Sequence, residues 1–381
     1  MMNILGLRGG YAMIRVLHSV SNMDRAGLET MLMNYYRHID RDLVQFDFLA
    51  NKPKPGAYEE EVRELGGRIF VSPGFNPVKL PKYRAFMKDL FAQNPEIQIV
   101  HAHNGALAYY ALREAQKNGI PHRIAHSHNS KINFDMKWPI KQYCRAHLKK
   151  AATEFWGCGE LAVSFYFGED IAQKKEYTLI RNAIEEERFV YNPTIREKLR
   201  RQYQVGDKLV IGHVGRFMYQ KNHMFLIDIF EKVHRQNENT VLFLIGEGEL
   251  ETNVREKIAK LGLQDAVVFT GSIPNVNEMY QMMDVFLLPS LYEGLPVVGV
   301  EAQASGVKTI FSDTVTREVS ITDQTEFLSL QASPEQWAKE ILKYSRGYER
   351  KDMTSDIVKA GYSIHTEAEK LQQLYLNMVE Q

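Results

Sequence analysis

Two glutamates eight positions apart, Glu293 and Glu301, are the residues whose type and spacing most directly suggest chemistry. A Gly-Leu-Pro turn follows the first, and the second falls on the helix that this turn opens. Carboxylates in such places can accept hydrogen bonds from sugar or ribose hydroxyls. Backbone N–H groups at a helix start favour phosphate. The segment therefore indicates a site for a phosphorylated sugar or a nucleotide, although most glutamates taken singly are solvated surface charges.

Two cations occupy another loop of the same half. Arg216 follows Gly215 just after an apolar strand, and Lys221 precedes Asn222 and the next helix. An arginine can bind a diphosphate through two parallel hydrogen bonds, and a lysine adds a point charge. For either cation alone, a solvated loop position is the alternative.

Glycines follow two further apolar strands. Gly246 and Gly248 form a G-x-G, but Glu251 stands where a dinucleotide fingerprint needs its third glycine. This departure argues against a nicotinamide-linked oxidoreductase. The turn 271–273 (Gly-Ser-Ile) follows the next strand.

These loops need strands and helices to hold them. The run 284–289 (DVFLLP) predicts a buried strand, Pro296 suits the first turn of the following helix, and Gly306 suits its end. Apolar strands alternate with amphipathic helices along the chain, which predicts parallel sheets covered on both faces. Ligands bind such sheets at the carboxyl ends of the strands. The predicted strands are 14–20, 46–49, 68–71, 97–103, 123–126, 209–213, 240–245, 267–270, 284–288 and 308–311.

The length of 381 residues suits two α/β domains. We place a first domain at 1–176, with 1–12 as a loose extension, and a second domain at 177–355. A C-terminal amphipathic helix, 356–381, is expected to cross back to the first domain. Residues 1–176 carry 24 Lys and Arg against 18 Asp and Glu, and the remainder carries 23 against 29, so the halves differ in net charge.

Bulk composition narrows the class of protein. The formal net charge is zero, which disfavours a nucleic-acid-binding role. No apolar run reaches 18 residues, and the N-terminus lacks the apolar core of a signal peptide. Cys144 and Cys158 have no metal-ligand spacing and are expected to be reduced thiols. We predict a cytoplasmic protein, in contact with the inner face of the membrane at most.

The segment 287–306 and the Gly-Arg…Lys-Asn loop together resemble the signature of glycosyltransferase family 4. These retaining nucleotide-sugar transferases have the GT-B fold, in which two Rossmann-like domains face a deep cleft. The resemblance implies that the domain at 1–176 binds the acceptor and that the domain at 177–355 binds the nucleotide sugar. The resemblance implies that Arg216 and Lys221 hold the donor diphosphate, that Glu293 lies at the donor sugar and that Glu301 holds the ribose. It assigns donor binding to Gly27, Gly215, Gly246, Gly248, Ile273, Gly294, Leu295, Pro296 and Glu301.

The resemblance extends with less specificity over the first half. Gly27 and Glu29 match the turn before the first helix, although Ala26 replaces a glycine that the family usually has there. The family places a histidine near the donor sugar, and His128 matches it better than His126. A structural role is the alternative for a histidine at a strand end. Further candidates for the acceptor or the cleft are Glu29, His101, His103, His126 and Asn129.

Metal is not expected to take part. His101 and His103 could suggest zinc, but the sequence offers no third ligand at convincing spacing. The D-x-D at 40–42 falls between a helix and a strand, which is not the setting of a metal-dependent glycosyltransferase site. The resemblance implies electrostatic stabilisation of the leaving diphosphate by cations and a helix start instead. We therefore predict catalytic roles for Arg216, Lys221, Glu293 and His128, and no cofactor.

The segment 131–150 interleaves six Lys and Arg with aromatic and aliphatic residues. A basic amphipathic helix of this kind is typical of membrane-surface binding, and a solvated face packed on its domain is the alternative. The chain also resembles bacterial transferases of exopolysaccharide and capsule biosynthesis, which usually extend a sugar on a polyprenyl diphosphate. We predict a retaining hexosyltransferase, with UDP-sugar as donor. Two alternatives are a GT-B-fold nucleotide-sugar epimerase or hydrolase and a non-catalytic nucleotide-sugar-binding partner protein.

Overall fold

The computed structural model describes residues 13–24, 27–52, 55–74, 79–128 and 136–380. The chain forms two compact α/β units. The first combines the residues up to Ala183 with those from Ile364 onward, and the second is Ile184–Ser363. The first unit thus runs past the boundary predicted at residue 177, because Thr178–Leu179 pairs with its sheet.

The first unit contains a seven-stranded sheet in which every pairing is parallel, in the order β3-β2-β1-β4-β5-β6-β7. Most residues of its inner strands are buried, as is usual for a parallel sheet between two layers of helices, although β1, β4 and β5 also carry Arg, Gln and His. The strands are β1 Ile14–Val20, β2 Val44–Ala50, β3 Ile69–Val71, β4 Ile97–Ala102, β5 His122–Ser127, β6 Glu154–Gly157 and β7 Thr178–Leu179.

Helices cover both faces of this sheet and bury one apolar stripe each. On α1 that stripe includes Met31, Leu32 and Tyr35. The helices that precede the second unit are α1 Gly27–His38, α2 Glu59–Glu64, α3 Leu80–Gln93, α4 Ala108–Lys117, α5 Trp138–Ala151, α6 Glu160–Phe167 and α7 Glu169–Lys174.

The second unit contains a six-stranded parallel sheet, in the order β10-β9-β8-β11-β12-β13. The strands are β8 Leu209–Val214, β9 Thr240–Ile245, β10 Val267–Gly271, β11 Val285–Leu288, β12 Lys308–Ser312 and β13 Thr325–Leu328. Its helices are α8 Pro193–Gln202, α9 His223–Gln236, α10 Glu251–Leu261, α11 Val276–Met282, α12 Val297–Ala304, α13 Pro334–Leu342 and α14 Thr354–Lys359.

The C-terminal segment forms two helices, although the sequence suggested one helix over 356–381. The first, α14, ends before Gly361. The φ of Gly361 is +77°, which is incompatible with a right-handed helix. The second, α15 (Ile364–Glu380), belongs to the first unit and packs on α1 and β2. Its buried stripe includes Leu371 and Tyr375.

The strand order reverses once in each sheet, between β1 and β4 and between β8 and β11. Helices on opposite faces leave a crevice at the carboxyl ends of such strands, and ligands bind there. The candidate residues of both units follow these strands. No helix among the described residues is long and apolar enough to cross a bilayer.

Candidate active site

A buried polar cluster surrounds Glu293 at the reversal point of the second sheet. One carboxylate oxygen, Oε1, lies 2.7 Å from Lys221 Nζ and accepts a hydrogen bond of 2.7 Å from Ser290 Oγ. The other, Oε2, accepts a hydrogen bond of 2.9 Å from Gln220 Nε2. Glu293 is only 8% exposed. A buried carboxylate with both oxygens engaged has a fixed position, so it can in turn orient the ammonium of Lys221.

Two further bonds join the loop after β8 to the loop after β11. Asn222 donates from Nδ2 to the carbonyl of Pro289 at 3.1 Å, and Leu291 N donates to the carbonyl of Gln220 at 2.8 Å. Asn222 adopts a left-handed conformation with φ 55°, which asparagine tolerates better than most residues. The loops that carry Lys221 and Glu293 therefore form one cross-linked unit.

Arg216 stands at the same edge with an exposed side chain. Its loop is fixed through the backbone, since Gly215 N donates to Ile245 O at 2.9 Å and Phe217 N donates to Glu247 O at 3.1 Å. Within the described residues, no ion pair engages the Arg216 guanidinium. A fixed loop with an exposed guanidinium can meet an anionic ligand without breaking an existing pair.

Gly246 and Gly248 are needed for loop packing as well as for any ligand. A Cβ at Gly246, whose φ is +135°, would collide with the carbonyl of Gly215, and a Cβ at Gly248 would collide with the backbone of Phe217. Gly246 N donates to Gly271 O at 3.0 Å, which links the two glycine loops. The half-buried Ile273 follows and packs on the core of the second unit.

Helix α12 begins at the carboxyl edge of β11. Pro296 is its N-cap residue, one position before the predicted first turn, and no side chain caps the helix. Leu295 and Pro296 are buried, and Gly294 is half-buried. Since the first turn of any helix has N–H groups without intrahelical partners, this end suits an anion. Gly306, with φ +68°, follows the last turn as predicted.

Glu301 lies on α12, one turn inside the helix. Its Oε2 accepts a hydrogen bond of 2.8 Å from the phenol of Tyr280 on α11. Burial raises the pKa of Glu301 from 4.5 to about 7, and the bond from Tyr280 and the charge of Arg188 oppose that rise. A neutral carboxyl keeps one acceptor oxygen, but the ionised form accepts hydrogen bonds from ribose hydroxyls at both oxygens and more strongly.

Five histidines meet at the reversal point of the first sheet, on three neighbouring strands. His18 lies in β1, His101 and His103 at the end of β4, and His126 and His128 at the end of β5. Residues two apart on a strand point to the same face, so both pairs lie side by side. Four of the rings are buried, and His128 is half-buried.

The rings form two hydrogen-bonded chains. In one, His18 Nδ1 lies 3.0 Å from His103 Nε2, and His103 Nδ1 lies 2.9 Å from His128 Nε2. In the other, the phenol of Tyr375 lies 2.6 Å from His101 Nδ1, and His101 Nε2 lies 3.0 Å from His126 Nδ1. Burial lowers the pKa of His18 and of His128 to about 3. The rings are therefore neutral near pH 7.

The cluster offers more metal-ligand atoms than the sequence suggested. Ring nitrogens of His18, His101 and His103 lie within 4.8 Å of one another, as do those of His103, His126 and His128. The missing third ligand thus comes from neighbouring strands, not from nearby sequence. Within each set, a hydrogen bond already joins two ring nitrogens, so a metal would have to replace that hydrogen bond.

The other first-unit candidates lie around helix α1. Gly27 begins this helix, and a Cβ there would meet no described atom within 4 Å, so only a ligand would require glycine. Glu29 is buried, which raises its pKa. Residues 40–42 form the turn between α1 and β2, as predicted. The candidate Asn129 lies outside the described residues, as do Ala26, which replaces the family's glycine, and residues 1–12.

The basic segment is described from residue 136 onward and forms α5 from Trp138. Cys144 and Leu148 bury one stripe, while Met136, Trp138 and Tyr143 are 101%, 37% and 52% exposed. Lys149 pairs with Asp170 at 2.9 Å. Exposed cations and exposed large apolar side chains are therefore both present in this segment, consistent with either alternative raised by the sequence.

Sequence reasoning missed several residues that support the candidates. Gln220 and Ser290 hold Glu293, and Tyr280 holds Glu301. His18 and Tyr375 complete the histidine chains. A usable signal exists for His18, since aligning the parallel strands β1 and β4 places His18 beside His101.

Two family models match the chain. Residues 25–188 match Glycosyltransferase Family 4, and residues 195–362 match Glycosyl transferases group 1. The chain is 36% identical over 309 residues to the putative glycosyltransferase EpsF of Bacillus subtilis, covering 80% of each chain. It is 24% identical to the capsular polysaccharide biosynthesis glycosyltransferase CapH of Staphylococcus aureus, covering 96% of this chain and 99% of the relative.

Solved structures agree on the fold. Sucrose-phosphate synthase from Thermosynechococcus elongatus superimposes with a TM-score of 0.76 at 16% identity, over 97% of this chain and 99% of that one. Anabaena HepE in complex with UDP and glucose superimposes with a TM-score of 0.69 at 16% identity, over 96% of this chain and 97% of that one. The predicted GT-B fold is confirmed. On the strength of its family models and of its likeness to EpsF, this chain belongs to glycosyltransferase family 4.

Proposed function

We propose that this protein transfers a hexose from a nucleotide sugar to a hydroxyl of a glycan acceptor, with retention of anomeric configuration. The observation that carries the proposal is the cross-linked cluster of Lys221, Glu293, Gln220 and Ser290 at the carboxyl ends of β8 and β11. In this proposal the fixed cation of Lys221 and the start of α12 would bind the diphosphate together.

The difficult step is departure of the nucleoside diphosphate from the anomeric carbon. Negative charge grows on the β-phosphate as this bond breaks. Arg216, Lys221 and the start of α12 would stabilise that charge electrostatically, and such preorganised donors act without rearrangement during the reaction. We propose that transfer therefore needs no metal. Both oxygens of Glu293 are occupied, which favours a positioning role toward the lysine and the sugar over nucleophilic attack.

Glu301 would accept hydrogen bonds from the ribose hydroxyls, and the glycine loops at Gly246 and Gly271 would border the nucleotide. UDP is the proposed nucleotide, which is supported by the UDP bound to the structurally similar HepE. His128 is proposed to contact the donor sugar. It is the most exposed of the five histidines, which favours it over the buried His126.

We propose a lipid-linked acceptor in exopolysaccharide or capsule assembly. The roles of CapH in capsular polysaccharide biosynthesis and of AmsD of Erwinia amylovora in amylovoran biosynthesis support that setting. The exposed Met136, Trp138 and Tyr143 beside the lysines of α5 would contact an anionic membrane. The enzyme would then act at the inner face of the membrane.

Nucleotide release from UDP-, GDP- and ADP-sugars tests the proposal. The assay is run with excess EDTA, with and without a membrane extract that contains lipid-linked sugars. We expect release of UDP from one donor, dependent on the extract and unaffected by EDTA. Release without any acceptor would instead indicate an epimerase or hydrolase. No release by folded protein would indicate a binding role.

A further inference from the structure

Three imidazoles form a continuous hydrogen-bonded chain that ends on His128. His18 belongs to β1, His103 follows β4, and His128 follows β5. The N···N distances are 3.0 Å for the first link and 2.9 Å for the second. Each link joins Nδ1 of one ring to Nε2 of the next, so the chain has a direction.

The three rings are electrically neutral near pH 7. His18 and His103 are 0% and 4% exposed. Burial lowers the pKa of all three rings far below 6.5, and the charge of Asp47 opposes this only partly at His18. A neutral imidazole has one N–H donor and one lone pair, and it cannot donate from both nitrogens.

This leaves two proton arrangements for the whole chain. Either every ring carries its proton on Nδ1 and donates toward His128, or every ring carries it on Nε2 and donates toward His18. Any mixed arrangement sets two donors or two lone pairs against each other, or requires an ionised His103. The tautomer of His128 is therefore tied to the tautomers of the other two.

The inner end of the chain is closed. No described residue offers a hydrogen-bond partner to the buried His18 Nε2. The His18 ring packs against Phe46 and Phe48, with centroid distances of 4.2 and 5.6 Å. Two polar rings, His101 and Tyr375, also border this end, at centroid distances of 5.2 and 6.3 Å. Both are buried, as His18 is, so water has no contact there through which the tautomers could interconvert independently.

We propose that His103 and His18 are positioning residues that hold the ring of His128 in one orientation and one tautomer. The inference rests on the proposed function, in which His128 contacts the donor sugar. Nδ1 of His128 then presents either a donor or an acceptor to that sugar, and the chain determines which. A ring without the chain could rotate or exchange tautomers and would lose part of its time in the unproductive form.

Tautomers can be read without any substrate. Long-range ¹H–¹⁵N spectra of the full chain, labelled with ¹⁵N-histidine, distinguish the two neutral forms and the imidazolium. We expect His18, His103 and His128 to be neutral and in the same tautomer at pH 7.5. Unlike tautomers or a protonated ring would overturn the proposal. Stoichiometric metal in the purified protein, measured by mass spectrometry, would also overturn it, because a metal occupies the lone pairs.

A pair of substitutions at His103 then tests the link to the reaction. Glutamine can supply one donor and one acceptor in place of the ring, whereas leucine supplies neither. We expect His103→Leu to give mixed tautomers at His128 and to lower kcat roughly ten-fold, with a donor KM within about two-fold. His103→Gln should recover most of both properties.

The control is His38→Gln, because His38 lies outside the chain: among the described residues it bonds to Asn34 O and packs edge-on against the ring of His365. It should change neither the His128 signal nor kcat. A His103→Leu variant with a single His128 tautomer and unchanged kcat would contradict the proposal. If wild type transfers no sugar, the proposed function fails while the spectra still decide the tautomers. If His103 variants do not fold, the wild-type spectra remain the test.

Discussion

The ammonium of Lys221 lies 2.7 Å from a carboxylate oxygen of Glu293, and the two side chains are 14% and 8% exposed. The resemblance to the family assigns one residue to the diphosphate and the other to the sugar. Their pairing means that neither acts alone: the carboxylate fixes where the cation is, and the cation offsets the cost of burying the carboxylate.

Breaking this pair from one side should destabilise the second unit. Lys221→Met leaves a buried charge that only Ser290 and Gln220 contact, and the loss of one partner in such a pair costs about 3–5 kcal/mol. The double substitution Lys221→Met with Glu293→Gln should recover most of the stability but not turnover. Chemical denaturation measures the stability of both variants, and nucleotide release measures their turnover.

The matched control is Lys257→Met, which removes an ion pair of 2.5 Å with Asp228 on a more exposed surface. It should cost about 1 kcal/mol or less. Equal losses of stability for Lys221→Met and Lys257→Met would show that the burial of Glu293 does not depend on the charge of Lys221.

Nucleotide affinity should depend on pH through Glu301. Burial raises its pKa from 4.5 to about 7, so the folded state holds more protons than the unfolded state, and stability falls as pH rises through this window. The ionised carboxylate accepts hydrogen bonds from ribose hydroxyls more strongly than the neutral carboxyl, so UDP affinity should rise by up to roughly ten-fold from pH 6 to 8. Calorimetry in two buffers should detect proton release on binding.

Glu301→Gln provides the control, since UDP itself has a titrating phosphate. The variant should bind UDP more weakly and retain only the pH dependence of that phosphate. A pH profile identical to that of wild type would remove Glu301 from the ribose site.

Gly246→Ala should abolish nucleotide binding through loop packing. Its Cβ would collide with the backbone of Gly215, which positions Arg216. Gly262→Ala is the matched control, because Gly262 also has a positive φ, +70°, but open space around its Cβ. The control should lose about 1 kcal/mol of stability and no UDP affinity. If both variants bind UDP normally, the glycine loop does not shape the site.

Vesicle binding tests the exposed face of α5. Replacing Lys137 and Lys141 by Gln should weaken binding to anionic vesicles by up to roughly 30-fold, since each cation near the surface contributes about 1 kcal/mol. Lys260→Gln, an exposed cation of the second unit, should have no effect. If the wild-type protein does not bind anionic vesicles at low salt, the result would favour the alternative in which this segment is a solvated face packed on its domain.

Much of the donor half could be predicted from sequence because its signals are local. Apolar runs marked β8, β9 and β11 to within a residue, and Gly306 marked the end of α12. Strand β13 was missed, since Lys308–Phe311 was taken as the last strand and Thr325–Leu328 has mixed polarity and is half-buried. Thr178–Leu179 was assigned to the second domain, because a two-residue strand shows its partner only in space.

The histidine cluster depends on contacts that sequence spacing does not reveal. His18 and His103 are 85 positions apart, and Tyr375 reaches His101 across 274 positions. Sheet register brings the strands together, and α15 brings the phenol. Similarly, Tyr280 reaches Glu301 from another helix, so the motif gave no sign of this hydrogen bond. The burial that raises the pKa of Glu301 also comes from packing between elements, which sequence spacing does not reveal.

The central claim is that cations at the reversal point of the second sheet drive departure of the diphosphate. The most direct test is turnover of the UDP-sugar by Arg216→Gln/Lys221→Gln, measured at a temperature where thermal unfolding shows the variant to be folded. We predict a loss of roughly 10²-fold or more, by analogy with other charge-stabilising donors. Normal turnover by the folded double variant would contradict the account.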